Sequence, residues 1–332
     1  MSTCWRRPKL EPQYWYAVFW GTGKTELVNM AGRDEAIRRR FDGGVLAARA
    51  GPGAYPPSHY LRQWLTLMGD TLLTEIPVEH LRQRLQSELH GKQTLVIVDG
   101  PLRAAEVEPF RLPGVAARYV VISPRRDLRF KLGRETSEAI SVETLDQAAG
   151  RRLFKALLPK EPELFNVPAE WIDKAADGCG GLPLAIELAA KAVTRLGWEK
   201  FRAGMASSRT RLATLSLPMP EELHHSLTLT LYGGYLALPA DLQKRLGALA
   251  RFAASEADEP RHISLAMVAQ AWGTDEGIEE VLDDLADASW LYSSSDGGYA
   301  FQPFVLELLM MVSDLQARRE MLKFYWAVRG YR

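Results

Sequence analysis

A Gly-Thr-Gly turn running into Lys-Thr has the residue types to hold a chain of phosphates. Gly21-Thr22-Gly23-Lys24-Thr25-Glu26-Leu27 carries this combination. It lies between an apolar run, Tyr16-Ala17-Val18-Phe19-Trp20, that reads as a buried strand and a stretch, Glu26 to Arg40, that reads as a helix. Backbone N–H groups at a helix start point at a bound anion, and the helix dipole favours negative charge there. Gly23 lets the backbone approach closely, Lys24 would reach the β/γ-phosphates, and the Thr25 hydroxyl would ligate Mg²⁺. The full pattern is G-x-x-x-x-G-K-[ST], and its first glycine falls on Val18, so only the C-terminal half is present. Taken alone, the fragment also fits a turn whose lysine is merely solvated.

Two further residues could serve the same chemistry. Thr94-Leu95-Val96-Ile97-Val98-Asp99-Gly100 is an apolar run that ends in an acid. Such a run reads as a buried parallel strand, and ligands of open α/β sheets bind at the carboxyl edge where Asp99 would sit. Asp99 is therefore placed to hold Mg²⁺, directly or through water; otherwise it simply opens a turn. Arg118-Tyr119-Val120-Val121-Ile122-Ser123-Pro124-Arg125-Arg126-Asp127 reads as the next strand. An arginine at its end, Arg125, could sense a γ-phosphate through charge-assisted hydrogen bonds, or be solvated.

The elements that must position these residues alternate between strand and helix up to about residue 142. Gly43 to Ala48 reads as a strand, His59 to Leu73 and Val78 to Leu89 as amphipathic helices. Alternation of this kind implies a parallel sheet with helices on both faces. Beyond Val142 the patterns are helical: Glu143 to Leu158, Ala169 to Asp177 and Leu184 to Leu196. Gly178-Cys179-Gly180-Gly181-Leu182-Pro183 ends one helix and starts the next, with Cys179 read as a small packed residue. Residues 199–240 read as less regular. Leu242 to Phe252, Ile263 to Trp272 and Ile278 to Ala288 read as helices, followed by a hairpin, Ser289 to Phe301, with an Asp-Gly-Gly turn. Helices followed by a hairpin make a winged helix, and Phe304 to Tyr325 reads as a helical tail.

Composition narrows the function classes. Lys+Arg and Asp+Glu are both 41 in 332 residues, so no global charge draws the chain to nucleic acid or anionic membrane. The two cysteines, Cys4 and Cys179, form no zinc spacing and suit a cytoplasmic location. His59, His80 and His90 have no metal-ligand spacing. No apolar run approaches the roughly 20 residues of a membrane helix, and no signal peptide is visible. The winged-helix reading invites DNA, but its second helix carries Glu279, Glu280, Asp283, Asp284 and Asp287 with no Lys or Arg. That face would repel phosphates, so nucleic acid is not expected as a partner. The first 20 residues crowd Cys4, Trp5, Tyr14, Trp15, Tyr16 and Trp20 with little periodicity. They read either as a leader foreign to the domain or as a divergent first strand.

Taken in order, these landmarks resemble the NB-ARC module of the STAND class of P-loop NTPases. The resemblance spans residues 16–312. Gly21 to Leu27 is similar to the end of its Walker A motif, Leu95 to Asp99 to Walker B, and Ile122-Ser123-Pro124-Arg125 to its sensor arginine. Gly181-Leu182-Pro183-Leu184-Ala185 is similar to its Gly-Leu-Pro-Leu motif, and Leu145 to Phe154 resembles the start of its helical ARC1 segment. The resemblance implies an α/β P-loop NTPase domain, then an α-helical domain, then a winged-helix domain. The expected parts are an irregular leader (1–15), a nucleotide-binding domain (16–142), an ARC1-like helical domain (143–215), a winged-helix domain (216–312) and a C-terminal helical tail (313–332).

The implied activity is that of a switch binding ADP or ATP with Mg²⁺ and able to form homo-oligomers when activated, with effector and sensor proteins as further partners. Gly21, Thr22, Gly23, Lys24, Thr25 and Glu26 would bind nucleotide, Pro183 would pack near the adenine, and Thr25 and Asp99 would hold Mg²⁺. Val18 and Trp20 stand where the family has glycines, which would narrow the β-phosphate cradle; Gly100 stands where it often has a second acid, which counts against hydrolysis more than binding. The family's Met-His-Asp trio corresponds to Phe301-Gln302-Pro303; Gln302 keeps a donor for a β-phosphate, while Pro303 has no N–H. The expected result is a weakened ADP-bound state. Two other readings stay open: a degenerate scaffold that binds no nucleotide, and a winged-helix transcriptional regulator.

Overall fold

The computed structural model describes residues 21–51, 54–70, 76–132, 140–160, 167–206, 208–216, 226–256, 262–293, 298–314, 319 and 321–323. The leader and the strand expected over Tyr16–Trp20, with Val18, lie outside the described residues. The chain divides into two compact units, Lys24–Val142 and Glu143–Arg332, and residues 21–23 group with the second.

Among the described residues, the first unit is built on three parallel strands in the order β1-β2-β3: β1 Val45–Arg49, β2 Gln93–Asp99 and β3 Ala116–Ile122. Val45 pairs with Leu95 and Arg49 with Asp99, while Asp99 in turn pairs with Ile122. Asp99 thus lies at the carboxyl edge of the middle strand. The period of two sorts the apolar residues of β2 between two cores. Val96 and Val98 pack with Leu61, Trp64 and Leu65 of helix α3 (Pro57–Leu67) and with Leu81 and Leu85 of α4 (Val78–Glu88). Leu95 and Ile97 pack on the other face, with Phe41, Val28 and Ile37. This double burial is why β2 reads as a continuous apolar run.

The single helix expected over Glu26–Arg40 is two, α1 Lys24–Arg33 and α2 Glu35–Arg40. Asp34 causes the break. Its carboxylate accepts from the Ala36 and Ile37 N–H groups at 2.9 and 3.2 Å, an N-cap that stabilises a helix start by about 1 kcal/mol. The helix expected over His59–Leu73 ends at Leu67, capped by Met68. After β3, a short helix α5, Leu128–Lys131, follows.

The second unit is mostly helical. Its first helix, α6, starts at Gln147 rather than Glu143, because Asp146 caps it by accepting from the Ala149 N–H at 2.7 Å. Then come α7 Ala169–Asp177 and α8 Pro183–Leu196. Among its described residues, the stretch read as irregular, 199–240, includes helices α9 Trp198–Met205, α10 Ser208–Leu215 and α11 Leu227–Ala237. Helix α11 buries nearly all its residues, Gly233 and Gly234 included, so packing rather than propensity holds it. Helix α12 runs Ala240–Glu256.

Ile263, expected inside a helix, is in a two-residue strand β4, His262–Ile263, and α13 begins at Leu265 with Ser264 as its N-cap. Helix α14, Ile278–Asp287, leads into β5 Leu291–Ser293 and β6 Tyr299–Phe301. These pair antiparallel in the order β4-β6-β5. Residues 294–297, in the expected Asp-Gly-Gly turn, lie outside the described residues. The tail helix α15 is Val305–Ser313. Cys179 is buried and donates from Sγ to the Ala175 carbonyl, and burial pushes its thiol up to about 12.

Candidate functional site

In the first unit, three of the singled-out residues come together. Lys24 and Thr25 form the first turn of α1, and the Thr25 hydroxyl donates to Asp99 Oδ2 at 2.8 Å. Seventy-four residues separate them in sequence, and the parallel sheet closes that distance. Partial burial pushes the Lys24 ammonium down to about 8, against the pull of the nearby Asp99 carboxylate. A cation that has lost this much hydration gains when an anion takes the place of water. Thr25 and Asp99 offer hard oxygen donors of the kind Mg²⁺ takes alongside phosphate and water. Among the described residues no group of three or more His, Cys, Asp or Glu could cage a metal alone. Glu26 sits exposed in the same turn of α1.

Gly100 directly follows Asp99 and has φ +88°, where an added Cβ would lie 2.9 Å from the Ala50 carbonyl oxygen. The backbone shape itself excludes a second acid there. Gly51, two residues beyond β1, approaches still closer: its Cβ would lie 2.3 Å from the Gly100 carbonyl oxygen. The carboxyl edge of this sheet is packed backbone to backbone, and only glycine fits.

Arg125 lies in the loop three residues beyond β3, the strand that pairs with Asp99. Its guanidinium is held by Asp127, Nε to Oδ1 and Nη2 to Oδ2, both at 2.8 Å. The arginine read as a phosphate sensor is thus engaged by a carboxylate of its own loop. Asp127 was not singled out in the sequence, and its spacing two residues after Arg125 was the available signal. Nor was Ser123 singled out; it is 1% exposed and donates to the Pro101 carbonyl at 2.6 Å while accepting from the Arg125 N–H.

The remaining residues belong to the second unit. Gly21 and Gly23 have φ of +79° and +82°, and Thr22 between them is buried. The Leu184 N–H donates to the Gly21 carbonyl at 3.2 Å, and Pro183 Cγ lies 3.9 Å from where a Cβ on Gly23 would be. Pro183 opens α8 next to this turn, where its missing N–H costs nothing. Gln302 follows β6 and its N–H donates to the Trp290 carbonyl. Pro303 packs on the glycine turn before α8: a Cβ on Gly180 would sit 2.8 Å from Pro303 Cβ. Phe304, at φ +64°, then starts α15.

No protein-family model matches the chain. It is 30% identical over 296 residues to the regulatory protein AfsR of Streptomyces coelicolor, a match covering 86% of this chain but 28% of that protein. The chain thus spans under a third of the length of that curated relative. Among solved structures, the Walker-type ATPase PABY2304 of Pyrococcus abyssi superposes with a TM-score of 0.58 at 13% identity, over 90% of this chain and 91% of the other. The ORC2 protein of Aeropyrum pernix, solved in ADPNP–ADP complexes, superposes with a TM-score of 0.51 at 13% identity, over 96% and 88%. The fold is similar to that of Walker-type P-loop ATPases.

Proposed function

We propose that this chain is the nucleotide-binding core of a regulatory switch of the STAND type. It holds ADP or ATP with Mg²⁺ and hydrolyses slowly or not at all. The observation that carries the reading is the 2.8 Å contact of Thr25 with Asp99 beside the poorly hydrated Lys24 ammonium. In this reading Gly21, Thr22, Gly23 and Lys24 receive the phosphates, with Glu26 beside them. Thr25 and Asp99 hold Mg²⁺, Arg125 senses the terminal phosphate, Pro183 packs near the base and Gln302 donates to the β-phosphate. The regulatory role finds support in the name of the AfsR relative, and nucleotide binding in the ADPNP–ADP complexes of the archaeal ORC2 protein. Gly100, whose backbone leaves no room for a second acid, supports the weak-hydrolysis part of this reading.

The parts of the switch would be the nucleotide domain to residue 142, the helical stretch 143–215 and the winged helix 216–312, in a cytoplasmic protein that forms homo-oligomers when activated. No helix among the described residues is long and apolar enough to cross a membrane. A scaffold that binds no nucleotide is the second reading, favoured by Val18, Trp20 and Gly100 and by Pro303, which has no N–H to offer a phosphate. Duplex DNA is a third. The exposed Glu279, Glu280, Asp283 and Asp284 of α14 oppose it, and a salt titration against random duplex decides it.

Titration with a fluorescent ADP or ATP analogue in Mg²⁺ tests the proposal. Saturable binding, lost in Lys24→Met and made insensitive to Mg²⁺ in Thr25→Ala, is expected. Absence of binding by the wild type leaves the scaffold.

A further inference from the structure

The geometry points to Asp127 as a specificity-determining residue: its carboxylate clamps Arg125 and withholds that guanidinium from a terminal phosphate, biasing the site towards the diphosphate. The inference rests on the nucleotide-binding reading and adds to it a competitor built into the chain. A carboxylate and a phosphate present similar paired oxygens to an arginine fork, so one can stand in for the other. Here the fork is already filled, by two contacts of 2.8 Å. The pair is not a loose surface contact, since the two side chains are only 22% and 15% exposed.

The clamp is rooted in the strand ends that carry the metal-side carboxylate. Ser123 bonds to the Pro101 carbonyl, the Gly100 N–H donates to Ile122, and the Arg125 N–H donates back to Ser123. The Arg125 backbone is therefore held in place, which leaves the side chain as the part that exchanges Asp127 for another anion. Lys131 also reaches Asp127 Oδ2, the oxygen that Arg125 Nη2 uses. It shares the carboxylate charge and so moderates the clamp. Asp127 is held below the usual carboxylate range, because burial, which would raise it, is outweighed by Arg125 and Lys131. It therefore stays charged, and a drop to mildly acidic pH does not open the clamp.

The test is the ratio of ATP to ADP affinity, measured with fluorescent analogues in Mg²⁺ on the full chain. Asp127→Asn is expected to shift the ratio about tenfold towards ATP, the size of one charge-assisted bond exchanged. Adding Arg125→Ala to that variant should abolish the shift. Lys131→Met is expected to move the ratio the other way by about twofold, because the carboxylate then serves Arg125 alone. The Lys131 side chain is 60% exposed, so this variant folds even if Asp127→Asn does not. A ratio that Asp127→Asn leaves unchanged or moves towards ADP overturns the clamp. So does a ratio that Lys131→Met leaves unchanged or raises. Failure of the wild type to bind either nucleotide refutes the nucleotide reading and the clamp with it; binding with an unmoved ratio refutes the clamp alone.

Discussion

Replacing Lys24 by methionine should stabilise the nucleotide-free protein, although it destroys the proposed site. Burial holds the Lys24 ammonium at about 8, down from an ordinary 10.5, even with Asp99 pulling it up. At about 1.4 kcal/mol per tenfold, that drop means the folded state carries this charge at a cost of roughly 3 kcal/mol at neutral pH. Lys24 keeps some access to solvent, and screening reduces the effect to about 1–2 kcal/mol. Methionine keeps most of the stem and removes the charge. The sign with pH follows from proton counts. Between pH 8 and 10.5 the unfolded chain binds a proton at Lys24 that the folded chain has released, so wild-type stability rises with pH through that window. Below pH 8 both states are protonated and the cost is present in full. The difference between wild type and Lys24→Met in urea denaturation, nucleotide removed, should be about 1–2 kcal/mol at pH 7 and vanish by pH 10.5. A methionine variant less stable at pH 7, or a difference flat from pH 7 to 10.5, would refute the account of this lysine.

Other consequences are open to direct measurement. Binding of a nucleotide should return the proton to Lys24, so calorimetry at pH 8.5 in buffers of different ionisation enthalpy should show proton uptake that disappears in Lys24→Met. Gly100→Asp should not restore ATP hydrolysis and should destabilise the first unit by about 1–3 kcal/mol, measured by urea denaturation, because φ +88° and the Ala50 carbonyl oppose any side chain. Cys179, buried with its thiol pushed up to about 12, should resist alkylation in the folded chain and react only on unfolding, read by mass spectrometry in a Cys4→Ser background.

The middle of the sheet was legible because β2 is buried on both faces, so Leu95 to Val98 appear as an unbroken apolar run ending in an acid. The meeting of Thr25 and Asp99 followed from placing one at a helix start and the other at a strand end. The break at Asp34 was not read: an Asp before Glu-Ala-Ile is an N-cap signal, but helical spacing on both sides masked it. Helix α11 was not legible. Leu227-Thr228-Leu229-Thr230-Leu231-Tyr232-Gly233-Gly234 alternates like a strand and carries two glycines, and only burial on all sides makes it a helix. Strand β4, two residues long, exists only because β6 is there to pair with it. At the candidate site, Arg125 was readable as a strand-end arginine, but its engagement by Asp127 depends on how the chain turns after Ile122, which no periodicity encodes.

Lys24, Thr25 and Asp99 are proposed to serve a nucleotide. The most direct measurement is to denature the purified protein and identify any released nucleotide by chromatography, then to titrate the emptied protein with ADP and ATP in Mg²⁺. Close to one ADP or ATP per chain, released or taken up, is the expected result. No nucleotide released, and none bound on titration, would contradict it.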